Sequence, residues 1–456
     1  MPATDTTLPI AVIGAGFSGT MAAIQLLSAL PQSRPVLLCE RAEAFGRGLA
    51  YATPAPAHLL NLRAANMSAF PDRPHHFEAW LAGQTEEGVQ RTPAGTFAPR
   101  GLYGRYLAEL LQRAITAGGV PRLHLVNDAV TDLEPAGAGY ILHTEGGPVH
   151  RVAGAVLAAG NLAGPGAPHS HYRVDPWQLE QFGRLHPHLP VLIVGTGLTM
   201  VDTVASLRAH GFSGRIVAVS RRGLLPRVHA PVEARPAPNL TTQDLASLSV
   251  LLGRIRREVA AADAAGSDWR GVLDGLRPIT DLIWRSLPPA ERARFLRHLR
   301  PFWDVHRHRT APPAARTIAD EIARGSLEVL AGRIRTIRDA EAQALVTLRP
   351  RGAGEDRHLA VQCILDATGI GLVSETPDPL LRRLMARGLV RPGPFGLGLD
   401  AGPDYRALGP RGGRLWTLGP LLRGVLWECI AVPDIRNQAV EVAALVAADL
   451  DRAEAA

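Results

Sequence analysis

Residues 8–40 read LPIAVIGAGFSGTMAAIQLLSALPQSRPVLLCE, and this stretch decides the architecture. Ile10–Ile13 is a short unbroken apolar run, the pattern of a strand buried on both faces of a parallel sheet. Gly14, Gly16 and Gly19 follow at once, Met21–Leu30 is apolar throughout, and Pro35–Cys39 is a second apolar run that ends on Glu40. The order predicts strand, glycine turn, helix and strand. Gly14 lets the chain leave the strand sharply, Gly16 leaves its backbone bare to a phosphate, and Gly19 lets the helix lie close to the sheet. A helix that starts there directs unpaired N–H groups and the positive end of its dipole at an anion. Glu40 stands about twenty residues on, where a carboxylate accepts hydrogen bonds from ribose hydroxyls. Glycines also make ordinary turns, so the pattern alone would be weak; with strand, helix, strand and terminal acid in order it reads as a dinucleotide cradle. An acid suits a free 2′-hydroxyl, so FAD or NAD fits this first site better than NADP.

A second stretch of the same design is PVLIVGTGLTMVDTVASLRAHGFSGRIVAVSRRG, residues 190–223. Val191–Val194 predicts a buried strand, Thr199–Ala209 a helix and Arg215–Val219 the next strand. Gly195 and Gly197 repeat the first two glycines, while Met200 takes the place of the third. No acid ends the second strand; Ser220, Arg221 and Arg222 stand there instead. Guanidinium groups bind phosphate in a two-pronged fork, whereas an acid would repel it, so this site is expected to prefer NADPH over NADH. The alternative is that both arginines are simply solvated.

The rest of the chain bounds the answer. Its 456 residues suggest two or three domains, and 46% hydrophobic with 20% charged residues describe a folded globular chain. The net charge is +7. Arginine carries it and is scattered rather than gathered into a basic stripe with aromatic partners, so nucleic-acid binding is not expected. Cys39, Cys363 and Cys429 are far apart, without a C-x-x-C, which argues against a disulfide framework, a zinc site or a disulfide-reductase redox pair. The first ten residues lack a basic and apolar leader, and no apolar run is long enough for a bilayer, so a cytoplasmic protein without membrane contact is expected. No G-x-S-x-G nucleophile elbow is present. Leu123–Asn127, Gly139–His143, Ala155–Ala159, Leu327–Leu330, Ala344–Leu348, Leu359–Leu365 and Leu415–Leu418 are expected as strands. Residues 165–176 read as a connection between domains. Residues 241–300 change texture: Leu245, Leu248, Leu252, Ile255 and Val259 recur at helical spacing, and further helices are expected near Val272–Trp284 and Glu291–Leu299. FWDVHRHRTAP, residues 302–312, is either a polar helix end or the lip of a pocket in which Trp303, His306 and Arg307 meet a substrate; His306 and His308 have no evident third ligand, so no metal is expected. Pro433 opens a final helix, Asp434–Leu450, whose positive end suits an electron-rich ring.

These residues resemble the two-dinucleotide-binding-domain flavoproteins, and more narrowly the bacterial FAD-NAD(P)-binding protein family. The blocks that carry the resemblance are IGAGFSG, GRGLAY, HLLNLRAANMSAFPDRP, LYGRYL, GTGLTMVD, SRRGLLP, FWDVHRHR, DATG, LGPLLRGVLWE and AVPDIRNQA, spread from Ile13 to Ala439. The family is similar to the flavin N-hydroxylating and Baeyer–Villiger-type monooxygenases. The resemblance implies an α/β fold of two Rossmann-like domains with a helical insert: residues 1–185 as the first part of an FAD domain, 186–325 as an NADPH domain with the insert at about 240–312, and 326–456 returning to the FAD domain with a flavin-facing last helix. It implies that Gly14, Gly16, Phe17, Ser18, Gly19, Glu40 and Arg41 hold the ADP part of FAD. Gly46, Asn61, Met67 and Val130 would lie along the cofactor, and Gly160, Gly369 and Gly419 would approach it at strand ends. Gly195, Thr196, Gly197, Ser220, Arg221 and Arg222 would take NADPH. Pro420 departs from the wider superfamily, which often has an aspartate there. The expected reaction is O₂-dependent hydroxylation of a small polar substrate such as an amino acid or amine. Flavin oxidoreduction without oxygen insertion, or non-catalytic flavin sensing, are the alternatives. No catalytic side chain is singled out, because the cofactor supplies the difficult chemistry.

Overall fold

The computed structural model describes residues 8–84, 87–117, 121–162 and 169–455. The beginning of the expected connection, residues 165–168, lies outside them. Five strands form a parallel sheet in the order Leu415–Thr417, Gly154–Leu157, Ile10–Ile13, Val36–Cys39 and Leu123–Val126. Ile10–Ile13 is central and fully buried, as its unbroken apolar run requires. Its alternate side chains serve two cores. Ile10 and Val12 pack with the helices Phe17–Ala29 and Val432–Glu454, which lie along each other. Ala11 and Ile13 face the other way, toward Leu133, Leu142 and Val152 of a three-stranded antiparallel sheet.

The second sheet has seven strands in the order Arg173–Val174, Cys363–Asp366, Val191–Val194, Ile216–Ser220, Leu327–Asp339, Ala344–Pro350 and Arg357–Val361. The first five pair in parallel, and the last two extend it as an antiparallel hairpin. This corrects two expectations. The run 359–365 is two strands, because Gln362 breaks it: its side-chain amide donates to His186 O and Leu189 O, both at 2.8 Å, and its oxygen accepts from His186 N at 2.7 Å. The domain bounds also move. Strand Arg173–Val174 already belongs to the second sheet, ahead of the expected boundary at 185. The chain returns to the first sheet only after Asp366, not at 326.

Between Ile216–Ser220 and Leu327–Asp339 the chain forms the helical insert: Leu248–Ala264, Trp269–Gly275, Thr280–Ser286, Pro289–His298 and Arg300–Arg307. The single helix expected over 272–284 is split, since Pro278 lacks the N–H that continuation would need. Pro312–Ala323 then packs on Leu198–Ala209 and leads back to the sheet. Among the described residues no helix is long and apolar enough to cross a membrane.

Candidate functional site

The parallel register places one edge of each sheet. Ile13 is level with Cys39 and Leu157, so Gly14, Glu40 and Ala158 emerge together at the carboxyl ends of the strands. Gly14 has φ +100°, and a Cβ there would lie 2.4 Å from Ala158 O. A Cβ on Gly19 would lie 1.7 Å from Gly14 O, so the helix can sit on the turn only as glycine. The helix begins at Gly16 without a side-chain cap and without an acid in its first turn, which leaves its N–H groups for an anion. Gly46 N donates to Ala15 O at 2.8 Å, and Gly48 lies over Gly16, so the segment 46–51 roofs the turn. Glu40 closes the site: its carboxylate accepts from Ala15 N at 2.7 Å and from Ala42 N at 3.1 Å. Phe17 and Ser18 are buried at the start of the helix, and a Cβ on Gly419 would meet Ser18 Oγ at 2.6 Å.

The second edge repeats the design. Val194 is level with Val219 and Asp366, so Gly195, Ser220 and Ala367 meet. Gly195 has φ +118°, and its Cβ would lie 2.2 Å from Ala367 O. Helix Leu198–Ala209 also starts uncapped and without an acid in its first turn. Gly197 faces open space. Thr196 Oγ1 donates to Leu224 O at 2.6 Å and lies 2.8 Å from Ser220 Oγ, which accepts from Gly223 N at 3.0 Å. These bonds hold the turn that carries the arginines. Arg221 is exposed. Arg222 reaches the insert, donating to His298 O at 3.3 Å and lying over the Phe302 ring.

Side chains that the sequence reading missed join the two edges. His58, 1% exposed, bonds Thr53 Oγ1 at 2.7 Å through Nδ1 and Ser206 Oγ at 2.6 Å through Nε2. Arg100 lies 2.8 Å from Asp202 Oδ2. Burial lowers the pKa of His58 and raises that of Asp202, the latter opposed by Arg100. The insert is bolted to the segment after Gly419 by Trp284 Nε1 donating to Gly424 O at 2.8 Å, and by Asp281 Oδ1 accepting from Trp427 N and Glu428 N. Asp434, in the first turn of the last helix, takes Arg277 at 2.7 and 2.8 Å. Arg307 and Glu428 are buried 3.4 Å apart. Burial lowers the Arg307 pKa against the pull of Glu428. Arg307 Nε and NH2, Glu428 Oε2, Arg436 Nε and Tyr103 OH are buried without hydrogen-bond partners, each at a cost of about 1–3 kcal/mol unless a ligand answers it. Several of these residues fall within the quoted sequence blocks, but the blocks did not pair them, since pairing across more than a hundred residues leaves no local spacing.

Gly160 and Gly419 follow adjacent strands of the first sheet. Gly369 instead follows the second sheet, beside Gly195, but Gly371 N donates to Leu162 O at 3.1 Å, so the segments carrying Gly160 and Gly369 cross here. Gly419 N donates to Gln438 Oε1 of the last helix at 2.8 Å. Asn61 O accepts from His229 Nε2 at 2.9 Å; Met67 is buried in the first core, and Val130 is half-buried against the cluster that contains Cys39. Arg41 is exposed and pairs with Asp378 at 3.3 Å. Trp303 and His306 line a cavity in the insert, whereas Arg307 turns to Glu428. The three cysteines are free and buried. Among the described residues no group of three or more His, Cys, Asp or Glu is placed to hold a metal.

Residues 11–162 match a family model described as FAD-NAD(P)-binding. No curated protein sequence matches the chain. Among solved structures it is similar to an ornithine N-hydroxylase of Kutzneria sp. 744, in a state described with reduced FAD, NADP+ and L-ornithine. That likeness has 14% identity and TM-score 0.64 over 98% of this chain and 100% of that one. An L-lysine 6-monooxygenase of Pseudomonas syringae has 18% identity and TM-score 0.61 over 98% and 99%. A bacillithiol disulfide reductase of Bacillus cereus has 12% identity and TM-score 0.54 over 97% and 99%. Residues 11–162 are therefore an FAD-NAD(P)-binding domain, in a chain whose whole length has the fold of the two-dinucleotide-binding-domain flavoproteins.

Proposed function

We propose that this protein is an NADPH- and O₂-dependent flavin monooxygenase that hydroxylates a small organic substrate, an amino acid or amine. The observation that carries the reading is the pair of cradles. Both have a positive-φ glycine pressed on a neighbouring strand end and an uncapped helix start; one ends in a carboxylate and the other in two arginines.

The residues fit the groups. Gly14, Gly16, Gly19 and the start of helix Phe17–Ala29 would hold the FAD pyrophosphate, and Glu40 would exchange its backbone partners for ribose hydroxyls. Tyr103, Arg307 and Arg436 offer buried, unpartnered polar atoms between the first domain, the insert and the last helix. Gly195, Thr196 and Gly197 would receive the NADPH pyrophosphate, with Arg221 and Arg222 at its 2′-phosphate. Bound FAD would supply hydride acceptance and oxygen activation. The chain's own contribution is placement. The bonds from Trp284 and Asp281 fix the insert over the segment 424–428, and the His58 and Arg100 contacts fix one cradle against the other. A water-poor junction follows from that burial, and it favours productive over wasteful use of reduced flavin. The buried, widely separated cysteines favour this reading over thiol–disulfide exchange.

The test is anaerobic reduction followed by oxygen. NADPH should bleach the bound flavin faster than NADH. Reoxidation with an amine present should place label from heavy O₂ in the product; peroxide alone, across a broad amine panel, would leave an oxidoreductase without oxygen insertion. Arg221→Ala with Arg222→Ala should raise the KM for NADPH about tenfold or more while leaving NADH nearly unchanged. Equal losses for both nucleotides would remove the assignment of the second site.

A further inference from the structure

The helical insert carries an open apolar pocket of about 530 Å³ that neither cradle uses. That volume lies within the range of small-molecule pockets. Its walls come from helices Leu248–Ala264, Trp269–Gly275, Thr280–Ser286, Pro289–His298 and Arg300–Arg307, together with Trp427 from the segment after Gly419. Trp269, Trp284, Trp303 and Trp427 all line it, and their rings meet neighbours edge-on or tilted: Trp284 and Trp427 at 4.8 Å, Phe295 and Trp427 at 5.0 Å, Trp269 and His306 at 4.9 Å. No carboxylate is among the lining residues. Thr280 already donates to Leu276 O, and His306 Nδ1 is bound to Phe302 O. Arg256 is exposed. Among the lining side chains, Trp303 Nε1 is a buried donor with no partner.

We infer that this cavity binds the apolar, aromatic-sized body of an uncharged or single-acceptor ligand, and that this body belongs to the substrate. The inference rests on the proposed monooxygenase reading for the word substrate, and on the cavity alone for binding. It changes the expected substrate class. A carboxylate or ammonium buried against these walls would lose hydration with only the exposed Arg256 as a charged neighbour, at a cost of several kcal/mol. An amine carrying an extended apolar or aromatic group fits, with the indole N–H of Trp303 answering one acceptor. The short charged side chain of ornithine or lysine does not. Trp303 and His306 then serve the substrate as the sequence suggests, but by apolar contact rather than as a polar lip.

Four of the seven tryptophans line the cavity, so intrinsic fluorescence reports occupancy directly. Flavin-loaded protein should be titrated with N-phenyl-1-naphthylamine, an uncharged aromatic amine that accepts energy from tryptophan. Saturable transfer is expected in the wild type, with affinity reduced at least tenfold by Val259→Trp or Leu273→Trp, which fill the cavity. Trp303→Phe, which removes only the N–H and little volume, should weaken binding several-fold. Retained flavin absorbance identifies the variants that have folded. Transfer that does not saturate, or that folded filling variants leave unchanged, overturns the site. The substrate claim is read separately: 4-methoxyaniline, an aromatic amine uncharged at neutral pH that carries one ether acceptor, should displace the probe and stimulate NADPH consumption, and ornithine should do neither. Displacement by ornithine at lower concentration than 4-methoxyaniline overturns the apolar assignment. Failure of NADPH to reduce the flavin at all strikes the monooxygenase reading and leaves the binding result standing.

Discussion

In the first cradle the third glycine position holds Gly19, where even a methyl would lie 1.7 Å from Gly14 O; in the second the same position holds Met200, fully buried in the domain core. The first turn is roofed by Gly48, while Gly197 in the second faces open space. The first strand ends in a carboxylate tied to its own turn, the second in a serine that holds the turn and two arginines that do not. Under the proposed function this contrast matches the two ligands: a resident cofactor needs a covered, close-fitting turn, and an exchanging one needs an open turn with charge to recognise it. The lesson is that a fingerprint departure need not weaken a site. Met200 trades close helix approach for core packing, and the positive-φ glycine and uncapped helix start are kept.

The contrast can be broken most severely at the shared glycine. Gly14→Ala forces a side chain onto Ala158 O and should give protein that loses its flavin on purification. Gly195→Ala makes the corresponding clash with Ala367 O but should leave the protein yellow, with NADPH reduction slowed about a hundredfold. Matched flavin losses in both would mean that the cradles do not divide the work. Met200→Ala should cost about 2–5 kcal/mol in urea unfolding, because it empties a filled core position. Insensitivity there would show that Met200 is not packed as described. Glu40→Gln removes a charged acceptor and should weaken FAD retention by about 1.5–3 kcal/mol, roughly ten- to a hundredfold, with NADPH affinity unaltered.

The smallest expected effect is on the seam between the cradles. Burial lowers the pKa of His229, which donates to Asn61 O, from 6.5 to about 4, and lowers that of His58. The unfolded chain therefore takes up protons near pH 6.5 while the folded chain resists. Stability from these groups is complete above about 6.5 and lost as pH falls toward about 4. Tm should decline through that window, and His229→Gln, which keeps a donor without the titration, should make the decline shallower. An unchanged slope would remove His229 from the seam.

Much of the site was legible in sequence because its determinants are local. Gly14, Gly16, Gly19 and Glu40 act through turn and helix-start geometry within one strand–helix–strand unit, as do Gly195, Gly197 and Ser220. Strand runs such as Ile10–Ile13 and Val191–Val194 could be read because a strand buried on both faces must be apolar throughout. The run 359–365 could not be divided, since the partners of Gln362 lie near residues 186–189 and only the fold brings them together. The same holds for the domain return after Asp366: a strand's sheet is chosen by its neighbours, not by its own composition.

By itself the sequence determined two strand–turn–helix units, the kinds of glycine turn they make, and the charge at the end of each. Periodicity, glycine and terminal acid or arginine act over a few residues and need no partner. Only the tertiary structure decided that His58, Arg100 and Asp202 join the cradles, that Arg307 meets Glu428, and that five helices and Trp427 line an open apolar pocket. Those contacts pair residues far apart along the chain. Their burial and unmet hydrogen-bond capacity exist only once the sheets and the insert have packed.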